Sequence, residues 1–171
     1  MPPRRMPVRI VVMGPSGVGK STVAQQLSSA LGAAFIEADD LHTTANRAKI
    51  SAGVPLTDHD RLPWLRAVGE RIASVPASVA ACSALKRSYR DTLRAAAPDV
   101  LFLELTAPPE LTAERSRTRE GHFASPDLVA SQLAILEPLS VDEAGARIAA
   151  GADVATVLNA ALDAVARLRS A

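Results

Sequence analysis

The chain has 171 residues, 48% of them apolar and 22% charged, with a formal net charge of +1. That length suits one domain with its own core, and the balanced charge gives no footprint of a nucleic-acid or anionic-membrane partner. No apolar run approaches the ~20 residues that cross a bilayer, and a single cysteine, Cys82, leaves no disulfide framework, which fits a cytoplasmic location.

The opening MPPRRMPVRIVVMG sets basic residues before an apolar stretch. That stretch is short and runs straight into a glycine motif, so it reads as a strand over 8–14 rather than a signal sequence. Val23, Leu27, Ala30 and Leu31 recur at helical spacing over 20–32, with Gly32 as a stop. AAFIEAD (33–39) reads as a second strand and 43–53 as a short helix. A VPLTDHDR loop follows, and Asp60 is the expected N-cap of the next helix, with Pro63 in its first turn. SVAACS (78–83) is a third strand, 84–97 a helix and VLFLELT (100–106) a fourth strand. Residues 108–120 are helical, and Ser125 caps a further helix that has Pro126 at its first position. GARIAAG (145–151) can form a fifth strand, and 153–168 is an amphipathic helix. Apolar strands alternating with helices predict an α/β fold, a parallel sheet covered on both faces. Ligands of such sheets bind at the carboxyl ends of strands, which places Gly14, Asp39 and Ser83 on one rim.

GPSGVGKS (14–21) matches G-x-x-x-x-G-K-[ST], with a strand before it and a helix after it as that motif requires. Its glycines let backbone N–H groups converge on an anion, and the following helix adds its positive end. Lys20 is placed to reach the β- and γ-phosphates, and the Ser21 hydroxyl is a candidate Mg²⁺ ligand. The chain uses 16 Arg and only 3 Lys, so a lysine at position 20 is informative: a compact ammonium differs from a planar guanidinium. There is no N-K-x-D base-recognition motif, and the apolar strands 78–83 and 100–106 end in serine and threonine rather than an acid. Those features disfavour a GTPase or a motor ATPase and favour a small kinase.

The acidic rim is FIEADDLH (35–42). Asp39 is the candidate base for an attacking hydroxyl, and Glu37 the candidate partner of Ser21 in holding Mg²⁺. A polar loop after a strand would produce the same residues. Strand alternation turns Asp40 away from Asp39. His42 is either a substrate contact or structural. Lys86 and Arg87 fall in the first turn of a helix, where cations oppose the dipole unless an anion is close. Arg115, Arg117 and Arg119 precede Gly121. Their spacing of two cannot put all three on one helical face, and the segment reads as a lid or as a solvated helix end. Trp64 reads as packing, and Cys82 as a buried small residue.

The blocks GPSGVGKST, FIEADDLH, NRAKISAGVPLTDHDRLPWL, CSALKRSYRDTLR and REGHF with SQLAILEP, in this order over 8–138, resemble the gluconate kinase family. The resemblance implies a P-loop kinase fold over 1–171, with a five-stranded parallel sheet, a substrate-binding insertion about 40–75 and a mobile lid about 115–126. It implies ATP-dependent phosphorylation of the 6-hydroxyl of D-gluconate with Mg²⁺, in a chain that can pair as a homodimer. Gly14, Ser16, Gly17, Val18, Gly19, Lys20, Ser21 and Thr22 then fall on the ATP loop. Asp39 falls on the acidic position of D-x-L-H, and Arg115 and Arg119 on lid arginines. Asp39, His42, Lys49, Arg61, Ser83 and Lys86 would meet the substrate, whose carboxylate calls for cations from among Arg47, Lys49, Arg61, Lys86 and Arg87. The chain departs from the pattern in a shorter link before Ser78, in Glu120 where a basic residue is expected, and in a tail that matches loosely after Glu137. A related kinase of shikimate or of a nucleotide, and a non-catalytic nucleotide-binding regulator, are the alternatives.

Overall fold

The computed structural model describes residues 7–118 and 126–171. Its strands are β1 (Arg9–Met13), β2 (Ala34–Glu37), β3 (Ser78–Ala81), β4 (Leu101–Thr106) and β5 (Gly145–Ala149). Its α-helices are α1 (Lys20–Leu31), α2 (Thr44–Ser51), α3 (Asp58–Ala73), α4 (Arg87–Ala96), α5 (Pro109–Thr118), α6 (Pro126–Ile135) and α7 (Val154–Ser170). The strands form one parallel sheet in the order β2-β3-β1-β4-β5. β1 is central, so the loop that leaves it emerges at the middle of the sheet's carboxyl edge.

Alternation along β1 divides the core. Ile10 and Val12 pack with Val23 and Leu27 of α1 and with Val157, Ala161 and Val165 of α7 on one face. Val11 and Met13 pack with Trp64, Val68 and Ile72 of α3 and with Tyr89 and Leu93 of α4 on the other. Beyond Arg9, the strand is apolar at every position and is therefore buried on both sides, as parallel strands are.

Three of the boundaries that differ from the sequence reading bear on the site. β2 stops at Glu37, and Ala38–Leu41 turn into a 3-10 helix, pinned where the Trp64 Nε1–H donates to the Ala38 carbonyl at 2.7 Å. α3 is capped by Thr57 rather than Asp60. Asp60 is the third residue of a capping box, accepting from the Thr57 N–H while its own N–H donates to the Thr57 hydroxyl. Pro63 therefore lies inside the helix. α4 starts at Arg87, because Ala84 takes a positive φ of 43° that no helix continues through.

That turn is held by a buried charge. Arg90 is fully buried and pairs with Glu143 through Nε and Nη2 at 2.8 and 2.9 Å. Its Nη1 donates to the carbonyls of Ala84 and Glu137 at 3.0 and 3.1 Å. Burial pushes the Glu143 carboxyl up, but the hydrogen bonds from Arg90, from the Ser140 N–H and from Arg94 outweigh this and hold it at about 2. Breaking such a pair from one side leaves an uncompensated buried charge. Arg90→Met is expected to lower stability by about 3 kcal/mol, read as a shift of the urea midpoint at neutral pH. Because the folded carboxyl lies below its ordinary value of 4.5, this stabilisation is complete above that pH and is lost as pH falls towards 2. The wild-type advantage over the variant should narrow across that window.

Candidate active site

The loop after β1 is shaped by two close approaches. Gly14 has φ 143°, and a Cβ there would lie 2.9 Å from the Leu105 carbonyl oxygen. Gly17 has φ 82° and packs against Ser116 and the Thr112 carbonyl of α5 with no room for a side chain. The Gly14 N–H donates to the Ser83 carbonyl at 3.3 Å, which fixes the loop to the end of the third strand. Gly19, the N-cap of α1, supplies no side-chain cap, and the first turn holds no acidic residue. The helix thus presents its positive end to an anion. Lys20 Nζ bends back over the loop and donates to the Pro15 carbonyl at 3.0 Å.

Beside this loop lies a cleft of about 480 Å³. Of the three residues that the sequence placed on one rim, Asp39 and Ser83 line it and Gly14 does not, and Lys20, Ser21 and Glu37 line it as well. The Ser21 hydroxyl donates to Glu37 Oε2 at 2.6 Å. Burial raises the Glu37 carboxyl above its ordinary value, only partly offset by that hydrogen bond, and the Asp39 charge raises it further. The Cys82 thiol lies under the same groups: burial pushes it up to about 12, with smaller effects from Asp39, Lys20 and Glu37. It is an inert floor, not a nucleophile.

Asp39 and Asp40 do not lie back to back as strand alternation predicted. Both sit in the 3-10 turn, where successive residues are a third of a turn apart, and both side chains are exposed and line the cleft. Asp39 Oδ1 lies 3.9 Å from His42 Nε2. The His42 ring stacks on Trp64 at 4.2 Å between centroids and approaches Asn46 at 3.4 Å. Burial lowers its pKa below the ordinary value, so it forms a neutral wall.

The cations separate into two groups. Lys49 is held by Asp60 at 2.8 Å, Lys86 by Asp58 at 3.1 Å and Arg87 by Asp142 at 2.7 Å, and none of the three lines the cleft. The anions that offset Lys86 and Arg87 at the start of α4 are thus the protein's own, and the Glu137 carboxylate accepts the Arg87 N–H as well. Arg47 and Arg61 do line the cleft. Arg47 donates to the carbonyls of Asp40 and His42. Arg61 donates to the Leu56 carbonyl at 2.6 Å and the Tyr89 hydroxyl at 3.1 Å. Among the described residues neither arginine has a carboxylate partner.

On the other flank of the loop is a second hollow of about 250 Å³. Gly17, Val18, Gly19 and Thr22 form one wall, and Ala150, Ala152, Val154 and Val157 the other. Arg115 lies here rather than in the cleft, donating to the Ala150 and Val18 carbonyls at 3.0 and 3.5 Å. Arg117 is exposed. Arg119, Glu120, Gly121 and Ser125 lie outside the described residues. The sequence reading missed this hollow, whose only trace is the run of small residues after β5. It also missed Gln132, whose Oε1 accepts the Ser16 N–H at 2.8 Å across the cleft.

A family model described as an AAA domain matches residues 10–139. The gluconokinase of Gluconobacter oxydans is 45% identical over 143 residues, covering 81% of this chain and 80% of that protein. The crystal structure of a gluconokinase from Sinorhizobium meliloti superposes with a TM-score of 0.89 at 46% identity, over 96% of this chain and 95% of that one. A shikimate kinase from Acinetobacter baumannii, solved with shikimate, has a TM-score of 0.60 at 17% identity over 96% of this chain and 95% of that one, and shares the fold. With its five-stranded parallel sheet and its phosphate loop after the central strand, the chain is a P-loop kinase that belongs to the gluconokinase family.

Proposed function

We propose that the protein transfers the γ-phosphoryl group of ATP to the 6-hydroxyl of D-gluconate, giving 6-phospho-D-gluconate and ADP. The observation that supports this acceptor best is the pair Arg47 and Arg61, two cleft-facing guanidiniums without carboxylate partners. They suit the carboxylate of a sugar acid, which a guanidinium can bind through two parallel hydrogen bonds. Asp39 and Ser83 line the same cleft, with Ser83 joined to the phosphate loop through the Gly14 N–H, and the reading places the reacting hydroxyl of the acid beside them.

In this reading the hollow beside Arg115 takes the base of the nucleotide. The phosphates run over Gly17–Gly19 to Lys20 and Ser16. Asp39 accepts the proton as the acceptor oxygen bonds to the γ-phosphorus, and the bond from that phosphorus to the bridging oxygen breaks with ADP as leaving group. Lys20 stabilises the charge on the transferring group. Ser21 and Glu37 fit Mg²⁺: both are oxygen donors, 2.6 Å apart and partly buried, a set that holds this ion together with phosphate and water. Bound there, Mg²⁺ would supply charge neutralisation at the phosphate oxygens. Among the described residues no helix is long and apolar enough to cross a membrane.

A coupled ADP-release assay with gluconate, shikimate and nucleoside monophosphates tests the proposal, and it fails if gluconate does not stimulate turnover. In the same assay Arg61→Ala is expected to raise the Michaelis constant for gluconate by about 10- to 100-fold, the loss of a hydrogen-bonded charge partner, with that for ATP unchanged. An equal rise for both substrates would remove Arg61 from the acceptor site.

A further inference from the structure

Gln132 stands out on its helix. α6 reads PDLVASQLAI, and the Ser131 hydroxyl is spent inside the helix on the Leu128 carbonyl. Gln132 instead reaches across 116 positions of sequence to the Ser16 N–H. Its placement is firm, because the chain just beyond α6 is fastened to the body of the protein. The Glu137 N–H donates to the Leu85 carbonyl at 2.8 Å, and the Leu139 N–H to Glu104 at 2.8 Å. The Glu137 carbonyl accepts from Arg90.

The Ser16 N–H can only donate, so it fixes the amide's orientation: the carbonyl end faces the loop. The NH₂ end has no hydrogen-bond partner among the described residues. Ser16 lines the cleft that holds Asp39, whereas Val18, Gly19 and Thr22 line the opposite hollow. A polyphosphate lying along this loop would therefore present its last phosphate, the one nearest Asp39, at Ser16. An anion there needs the Ser16 N–H for itself and would repel the Gln132 carbonyl oxygen. Rotation about the last side-chain torsion, which is broad and two-fold, exchanges that oxygen for the NH₂ group, turning an acceptor into a donor in the same place.

We propose that Gln132 is a ligand of the terminal phosphate of the nucleotide. Its carbonyl end accepts from the Ser16 N–H, and with the amide turned over its NH₂ end donates to the γ-phosphate. The inference rests on the reading of the loop as an ATP site. It predicts a selectivity that a structural role does not: Gln132 should matter for a triphosphate and not for a diphosphate.

Calorimetric titration with ADP and with a non-hydrolysable ATP analogue tests it. The wild type should bind both; if it binds neither, the ATP-site reading fails, not this assignment. Gln132→Ala should weaken the analogue by about 10- to 100-fold, the range for a hydrogen bond to a charged group, and leave ADP unchanged. Equal weakening of both, or of neither, overturns the proposal. Gln132→Glu keeps the shape but sets a carboxylate against the phosphate. Its affinity for the analogue should be lower still at pH 8 and should recover relative to wild type as the pH is lowered and the new carboxyl protonates. A ratio to wild type that does not change with pH also overturns it.

Discussion

Asp39→Asn is expected to lower kcat by about 10²- to 10⁴-fold, the usual range for a lost general base, while ATP binds as before. The amide keeps the size of the side chain and its place in the 3-10 turn. It removes only the ability to take a proton. Asp39 is exposed at the cleft wall, and its contact with the buried, neutral His42 ring is a long one of 3.9 Å, so the substitution leaves no buried charge behind. Asp40→Asn is the necessary companion, because both carboxylates line the cleft and only the assignment of Asp39 as base separates them. Steady-state rates with saturating gluconate decide the matter. A twofold effect at Asp39, or a larger one at Asp40, would move the base to the other residue.

Lys20→Ala should lower kcat by about 10²- to 10³-fold with a smaller effect on nucleotide affinity. The charge it stabilises is greatest on the transferring phosphoryl group and less in the bound substrate. Lys20→Arg should also lose most of the activity despite keeping the charge. The ammonium folds back over the loop onto the Pro15 carbonyl at 3.0 Å, a compact position that a planar five-donor fork does not reproduce. If either variant changed only the Michaelis constant for ATP, Lys20 would be a binding residue and not a catalytic one.

The rim of the sheet was legible because it follows from short-range rules. A β-branched run, a glycine loop and a helix identify the first strand and its anion site. Parallel topology then brings the ends of β2 and β3 beside it, since every strand points the same way. What the sequence hid depends on three-dimensional partners. Nothing near Lys49 or Lys86 in the chain says that Asp60 and Asp58 will pair with them, so five cations stood level in the sequence, and the structure separates the three that are paired with carboxylates from the two that line the cleft. The facing of Asp39 and Asp40 was misread because alternation assumes an extended strand, and the strand had already ended at Glu37. Gln132 and the hollow beside Arg115 left only uncharged or small residues to read.

The Arg90 cluster also bears on where this fold can be cut. The blocks that carry the family resemblance lie before residue 139, and the tail beyond matches the pattern only loosely. Yet Glu143 belongs to it, and Glu143 is the counter-charge of an arginine wedged behind the Ala84 turn. A chain shortened to residue 138 would leave that guanidinium sealed in an apolar interior with only carbonyls around it. The cleft wall and the loosely matching tail are therefore one folding unit, joined by this buried pair as well as by β5 and the core face of α7.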